Sequence, residues 1–490
     1  MKRSDAEALY PQLGQYINGD LIVGGGEFFG VQDPSTLSEL GRYVPASEEN
    51  VDAALTSANS GFDVWSRISA HERGKILKRV ADNVRAEKGR LAGLITLESG
   101  RPLSEAQIEI DHSAAMFDWA AEEGKRAYGR IIPAREQHCT QYVMREPLGP
   151  VAAFTPWNVP LTTPARKLSG TLGAGCSVIL KASEETPGSA IALAMLAVKA
   201  GVPSEAVSVL IGNPEMVSTR LLGSDIIRGL TFTGSTRVGK ILIRQAADHL
   251  IRPVMELGGH APVLIFGDVD VEKIAQHAVT AKFKNSGQIC VSPTRFLVQR
   301  EIYEAFLEKF VVATKRITVG DGFDPDVTMG PLRNAGRIRE IEGLLTDATN
   351  RGHRVFGGER IGGTPGNFIN PAVIADADSG TLASNIEPFG PIAVLQPFDS
   401  LGDAVREANR LNIGLASYVM TNHLGIANYC TAEIHAGSVI VNNWRATLPE
   451  TPFGGYRESG FGSEGGIEGL SAFQNIKLVY LGTNTQQGSV

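Results

Sequence analysis

The feature that most constrains this chain is an alternation of short β-rich runs with helical stretches. From Val151 onward the runs 151–154, 177–180, 207–211 and 230–233 are built of Val, Ile, Leu, Phe, Ala, Ser and Thr, with helical stretches at 188–200 and 214–222 between them. Strands joined by a helix pair in parallel through crossovers, and strands covered on both faces read as continuous apolar runs. The spacing therefore predicts βαβ units and a doubly wound sheet. A second series follows Glu256, with strands expected at 262–266, 296–299, 392–395, 417–420 and 438–441, and helices at 271–283 and 302–317. Ahead of both, 51–124 reads as helices, because Ile76, Leu77, Val80 and Val84 recur at spacings of three and four among charged positions. The main boundary falls near Leu257. Two segments, 129–146 and 476–481, fit neither series; their alternation predicts edge strands.

A chain of 490 residues has the length of two or three domains and ample core for stability. Its net charge of -7 is spread through mixed signs with no long basic run, which argues against nucleic acid as a partner. The first 16 residues lack the apolar core of about 7–15 residues that a signal peptide needs. No uncharged apolar run approaches the roughly 20 residues of a membrane span. Cys139, Cys176, Cys290 and Cys430 are scattered and show no metal-ligand spacing. A cytoplasmic, reduced, metal-free protein is the expectation.

Three short motifs carry chemistry. Cys290 ends the run Phe283-Lys-Asn-Ser-Gly-Gln-Ile-Cys; Glu256 precedes Leu257, Gly258 and Gly259; Asn158 ends Thr155-Pro156-Trp157-Asn158. A thiol, a carboxylate and a side-chain amide are what acyl chemistry on an aldehyde needs: a nucleophile, a base for water and a donor to the oxyanion. Each has an ordinary alternative. A lone cysteine is commonly a small buried hydrophobe, an asparagine in a proline-flanked turn is commonly a cap, and an inward glutamate is commonly salt-bridged.

The patterns FxNxGQxC at Cys290, ELGG at Glu256, PWN at Asn158, EPFGP at Glu387 and PFGGYRESG near the C-terminus occur in one chain. With them the sequence resembles the aldehyde dehydrogenase superfamily over about residues 16–481, and looks closest to its succinate-semialdehyde dehydrogenase-like members. The resemblance implies an α/β fold: a Rossmann-type dinucleotide-binding domain (1–124 and 147–256), an α/β catalytic domain (257–465) and a small β oligomerisation flap (125–146 and 466–490), with the active site in the cleft between domains. It implies a homodimer or homotetramer, and an exposed edge strand that must be paired is a physical reason for one. Cys290 would add to the aldehyde to give a thiohemiacetal and then a thioester. Asn158 and the backbone N–H of Cys290 would hold the oxyanion, and Glu256 would activate the hydrolytic water. Glu464 matches a second proton-relay glutamate, though it also has the setting of a solvated loop residue. Relatives that pass the acyl group to coenzyme A usually lack the glutamate at 256, so its presence favours hydrolysis. A catalytically idle structural or binding relative would be expected to lose Cys290, Asn158 or Glu256, and all three are present.

For the cofactor, no G-x-G-x-x-G follows a strand. The turn Gly234-Ser235-Thr-Arg-Val-Gly239 stands in its place, with Ser235 near a helix N-terminus that suits pyrophosphate. The family places Trp157 beside the phosphates, and Thr155 and Leu257 belong to the same set. Lys181 and Glu184 match the pair that holds the adenosine ribose. A carboxylate there accepts from ribose hydroxyls and repels a 2′-phosphate, so NAD is favoured and NADP remains possible. Glu387 matches the residue that grips the nicotinamide ribose, and Phe389 would pack beside the ring.

For the substrate, Arg166 and Lys284 match two positions that carry arginine in succinate-semialdehyde dehydrogenases and bind a distal carboxylate. Lys284 keeps the charge but not the bidentate fork. Leu448 stands where those enzymes have a serine, and Arg445 could compensate. Arg166 is equally placed for a surface ion pair. The expected substrate is a small semialdehyde bearing a carboxylate. The alternative is an aromatic or aliphatic aldehyde, for which Trp444, Leu448 and Phe453 would supply an apolar wall.

Overall fold

The computed structural model describes residues 1–363 and 365–482. Five apolar runs form the parallel centre of an eight-stranded sheet: Val207–Leu210, Val178–Lys181, Val151–Phe154, Gly229–Thr233 and Arg252–Glu256, hydrogen-bonded in that order. Numbered along the chain, the order is 3-2-1-4-5. The direction of winding reverses between Val151–Phe154 and Gly229–Thr233. Open α/β sheets bind ligands outside the carboxyl ends of the strands at such a point. The crossovers are the helices Thr162–Ala174, Pro187–Lys199, Pro214–Leu222 and Thr236–Ala247.

Alternate residues of these strands feed two cores. Ala153, Val178, Leu180, Val207 and Val209 pack with the helices before the sheet, where Val80, Val84, Ile110 and Phe117 are buried. Ala152, Phe154, Ile179, Leu230 and Phe232 pack on the other face with Val51, Leu221 and Leu242. Both faces are covered, so the strands carry no polar alternation. The expected helical segment resolves into Glu48–Trp65, Ala70–Ala86, Lys88–Ser99 and Leu103–Glu123.

A seven-stranded sheet holds the second series: Arg354–Gly357, Ala372–Ala375, Ile392–Phe398, Arg295–Gln299, Pro262–Ile265, Ala416–Met420 and Ser438–Val441. All its pairings are parallel except the outermost one between Arg354–Gly357 and Ala372–Ala375. One short strand crosses the expected boundary at 257. Gly460–Phe461 pairs antiparallel with Met255 and Glu256, so chain from the C-terminal region closes the edge of the first sheet. An unpaired strand at Glu256 would leave backbone groups open to other chains.

The segments outside both series form a three-stranded antiparallel sheet of Arg130–Ile132, Cys139–Pro147 and Gln474–Gly482. Arg130–Ile132 and Gln474–Gly482 are its edges, but Cys139–Pro147, expected as an edge, is the central strand. The two distant segments pair with each other along nine positions, from Gln474–Pro147 to Gly482–Cys139. Residues 483–490 of the expected flap lie outside the described residues.

Candidate active site

Asn158 follows the first strand of the parallel series, and both its ends are held. Its backbone carbonyl accepts from Arg101 Nη2 at 2.8 Å and from Asn285 Nδ2 at 2.9 Å. Its own Nδ2 donates to the Gln288 carbonyl at 2.9 Å, which leaves one of the two amide hydrogens for another acceptor. Arg101 is ion-paired with buried Glu109, whose other oxygen accepts from the backbone N–H groups of Leu161 and Thr162 at 2.9 and 3.0 Å. The turn that carries Asn158 is thus tied to the helix Leu103–Glu123 and to the cysteine loop. Hydrogen bonds to charged groups are typically worth about 1.5–3 kcal/mol, so this network makes the turn rigid.

The cysteine loop leaves the helix Val271–Phe283 through three consecutive left-handed residues, Asn285, Ser286 and Gly287, with φ of 50°, 56° and 72°. Asparagine tolerates this conformation and serine less so. At Gly287 space also decides, because a Cβ would stand 2.1 Å from the Gly390 carbonyl oxygen. Gln288 Oε1 accepts from the Arg333 N–H at 3.0 Å and fixes the far side. Cys290 follows, half-buried and free. Burial first, then the negative charge of Glu387, pushes its thiol up to about 12; Arg166 opposes them. The thiol is protonated at rest, and its proton needs an acceptor.

Glu256, whose charge also acts on the thiol, is a candidate. It ends the strand Arg252–Glu256, is buried, and neither carboxylate oxygen has a hydrogen-bond partner. Burial, then the like charge of Glu464, raises its carboxyl well above the usual range, while Lys167 and Arg166 pull it down. Glu464 is itself buried. Its Oε1 pairs with Lys167 and accepts from Thr231 Oγ1 at 2.8 Å, and its Oε2 is unpartnered. Lys167 is fully buried with its ammonium lowered by burial, and also donates to Thr231 at 2.9 Å. Glu464, expected either in a relay or in solvent, stands inside.

The cofactor candidates line the carboxyl ends of the same strands. The Thr155 N–H donates to the carbonyl of Lys181, the last residue of the neighbouring strand, at 3.2 Å, and Lys181 pairs with Glu184 in the turn that follows it. Gly234 donates to the Glu256 carbonyl at 3.0 Å; Ser235 caps the helix Thr236–Ala247 through the Val238 N–H at 3.4 Å. Gly239 sits in that helix's first turns beneath Leu257. Trp157 meets Phe389 edge-on, with centroids 5.6 Å apart at 86°. Glu387, raised by burial to about 8, accepts from the Gly259 N–H, and a Cβ on Gly258 would lie 2.9 Å from its Oε2. Carboxylates at two ends, a capped helix N-terminus between them and a cleft kept open by glycine fit a dinucleotide.

Of the substrate candidates, Arg166, Leu448 and Phe453 come together in one cavity, while Lys284, Arg445 and Trp444 do not line it. The Arg166 guanidinium lies 4.6 Å from the centroid of the Phe453 ring, and both line a cavity with Leu448, Trp119 and Met116. Lys284 and Arg445 are exposed, and together with Arg166 they act on His112. Trp444 stacks on Tyr418 at 5.6 Å.

Sequence reasoning assigned no role to Arg101, Glu109, Lys167, His112 or Lys282. Lys167 had a signal: it lies among Ala165, Leu168 and Leu172, which are buried on the helix Thr162–Ala174. Lys282, fully buried below the cysteine loop, donates to Ser292 Oγ at 3.2 Å and is brought down to about 7 by burial. Among the described residues no three side chains form a metal-ligating group, and no helix is long and apolar enough to cross a membrane.

The aldehyde dehydrogenase family model matches residues 23–479. The chain is 40% identical over 452 residues to 4-(hydroxymethyl)benzenesulfonate dehydrogenase TsaD1 of Comamonas testosteroni, covering 92% of this chain and 94% of that one. It is 36% identical over 483 residues to the NADP-dependent succinate-semialdehyde dehydrogenase GabD of Escherichia coli K12, covering 98% and 100%. The crystal structure of succinate-semialdehyde dehydrogenase from Burkholderia pseudomallei superposes with a TM-score of 0.95 at 35% identity, covering 97% and 99%.

Proposed function

This chain belongs to the aldehyde dehydrogenase family, and from that premise we propose that it oxidises a small aldehyde bearing a distal carboxylate to the free acid through a thioester on Cys290. The chain is an oxidoreductase acting on aldehydes, with NAD or NADP as the cofactor of its family. Glu184, a carboxylate where a 2′-phosphate would be repelled, favours NAD. The observation that carries the hydrolytic route is Glu256: a buried carboxyl with both oxygens unpartnered, whose charge acts on the half-buried thiol that must lose a proton.

Glu256 takes the proton of Cys290, and the thiolate adds to the aldehyde carbon. The free Asn158 amide hydrogen and the Cys290 backbone N–H donate to the oxyanion, at about 3–4 kcal/mol for one preorganised donor. A dinucleotide held by Lys181, Glu184, Ser235 and Glu387 would supply the acceptor for the hydride that the aldehyde carbon gives up, and an acyl group is left on the Cys290 sulfur. Glu256 passes that first proton on, for which Lys167 and Glu464 offer a buried path. It then draws a proton from water, which adds to the thioester; the acid is released and the departing thiolate takes that second proton back from Glu256. Lys181 and Glu184 hold the adenosine ribose, Ser235 and the helix start take the pyrophosphate, and Glu387 takes the nicotinamide ribose. The divisions 1–124 with 147–256, 257–465, and 125–146 with 466–490 are the units we assign to cofactor, catalysis and assembly.

Arg166, Lys284 and Arg445 favour an anionic distal end. An aromatic aldehyde is the second reading, favoured by Trp119, Leu448 and Phe453 in the cavity wall. The test is reduced-cofactor formation with NAD or NADP on succinic semialdehyde, a sulfonated benzaldehyde, benzaldehyde and hexanal, with Cys290→Ala as control. Preference for succinic semialdehyde supports the proposal. Preference for the sulfonated benzaldehyde keeps the anion site and moves the choice to the aromatic reading. Preference for the neutral aldehydes overturns the anion site.

A further inference from the structure

The two donors offered to the oxyanion belong to different sheets. Asn158 follows Val151–Phe154 of the eight-stranded sheet, and Cys290 precedes Arg295–Gln299 of the seven-stranded one. Such donors must be held to within about 0.5 Å of the productive geometry, so the turn of one sheet has to be fixed against the loop of the other. The two meet at the carbonyls of Asn158 and Gln288, and each carbonyl accepts twice. That of Asn158 takes Arg101 Nη2 at 2.8 Å and Asn285 Nδ2 at 2.9 Å; that of Gln288 takes Asn158 Nδ2 at 2.9 Å and Asn285 Nδ2 at 3.2 Å. Both hydrogens of the Asn285 amide are spent in this bridge. Arg101 decides which way that amide faces, because its Nε donates to Asn285 Oδ1 at 3.2 Å. Turned over, the amide would set Oδ1 against two carbonyl oxygens and its NH2 against a cation. The third arm, Nη1, pairs with Glu109. One buried guanidinium, from the chain between the helices Lys88–Ser99 and Leu103–Glu123, thus holds the turn and the loop together.

We propose that Arg101 is a positioning residue for the oxyanion hole: it holds Asn158 directly and, through Asn285, the Gln288 peptide ahead of Cys290, and so sets the spacing between the two donors. This rests on the oxyanion role given to Asn158 above and adds the group that aims it. With both lone pairs of the Gln288 carbonyl taken, one Asn158 amide hydrogen is fixed and the other has a single direction left. Lysine in place of Arg101 keeps a charge for Glu109 but lacks the planar fork that reaches Glu109, Asn158 and Asn285 in three directions. A misplacement of about 1 Å in a reacting geometry costs about 10²-fold in rate. The same two donors serve the oxyanion of the first addition and that of thioester hydrolysis, so both steps slow together. Dinucleotide binding uses neither donor and stays as it is.

The test is a cycle of Arg101→Lys, Asn158→Ala and the double variant, run with the aldehyde of the panel above and the dinucleotide, NAD or NADP, that the native protein uses best. Arg101→Lys should lower the first-turnover rate of reduced-cofactor formation and kcat alike, by about 10–10²-fold, with the dinucleotide Kd unchanged. Asn158→Ala should lower both by about 10²–10³-fold. Adding Arg101→Lys to it should then cost less than about threefold more, because the group that Arg101 aims is gone. Where Arg101→Lys fails to fold, Arg101→Met with Glu109→Gln takes its place with the same expectations. That pair removes both buried charges together and keeps an acceptor for the Leu161 and Thr162 N–H groups. Native kcat, a loss that appears as weaker dinucleotide binding, or an equal loss in both backgrounds overturns the role of Arg101 and leaves Asn158 as the donor. Asn158→Ala at native kcat overturns the oxyanion reading, and the proposal with it.

Discussion

At the scale of single residues, the site is a set of charges whose ordinary states have been displaced. Burial raises Cys290 and Glu256 and lowers Lys167 and Lys282, so groups that are far apart in water become able to exchange protons. Glu256 carries a prediction with two signs. As a base it must be ionised, so kcat should fall as pH drops through its raised pKa. Glu256→Gln should lower kcat by about 10²–10⁴-fold and abolish that limb. For stability the sign reverses. A carboxyl whose folded-state pKa exceeds the unfolded one is most stabilising as the neutral acid. That contribution is complete below the unfolded value and is lost as pH rises to the folded one. Thermal unfolding of Glu256→Gln should therefore exceed that of the native protein at about pH 8 and match it near pH 4. The residues themselves were legible: Cys290, Glu256 and Asn158 stand in short motifs. Arg101 and Glu109 were not, because a buried ion pair between helices leaves no local spacing to read.

At the scale of elements, the cysteine loop shows how backbone sets chemistry. Three left-handed residues in succession turn the chain out of the helix Val271–Phe283, and Asn285 uses that turn to hold the Asn158 carbonyl. Gly287→Ala meets both strain and a backbone oxygen 2.1 Å from the new Cβ. Unusual backbone alone costs about 1–3 kcal/mol, and here the Cβ must also displace the segment around Gly390. The expected outcome is a lower unfolding temperature together with a fall in kcat/KM, measured by calorimetry and steady-state kinetics. Native stability with native kinetics would show that the turn relaxes freely. The strands and crossover helices were legible because their apolar runs are continuous. The central place of Cys139–Pro147 was not, since its partner Gln474–Gly482 lies more than 300 residues away in sequence.

At the scale of the whole molecule, the small three-stranded sheet leaves Ile131, Ile476, Leu478 and Tyr480 exposed along its edge strands. An apolar edge of this kind is a template for another chain, and we expect a homo-oligomer assembled through it. Ile476→Lys with Leu478→Lys should shift the mass measured by light scattering toward the monomer, and an unchanged mass would place the interface elsewhere. The sequence by itself determined the two parallel series and the chemical kinds gathered in the motifs, because periodicity and turn chemistry act over a few residues. Only the tertiary structure, through distances across the fold, set which groups meet: Lys167 with Glu464, Arg101 with Glu109, and Gly460–Phe461 against the strand of Glu256. Those meetings depend on desolvation and on distances across the fold, and neither is written in neighbouring residues.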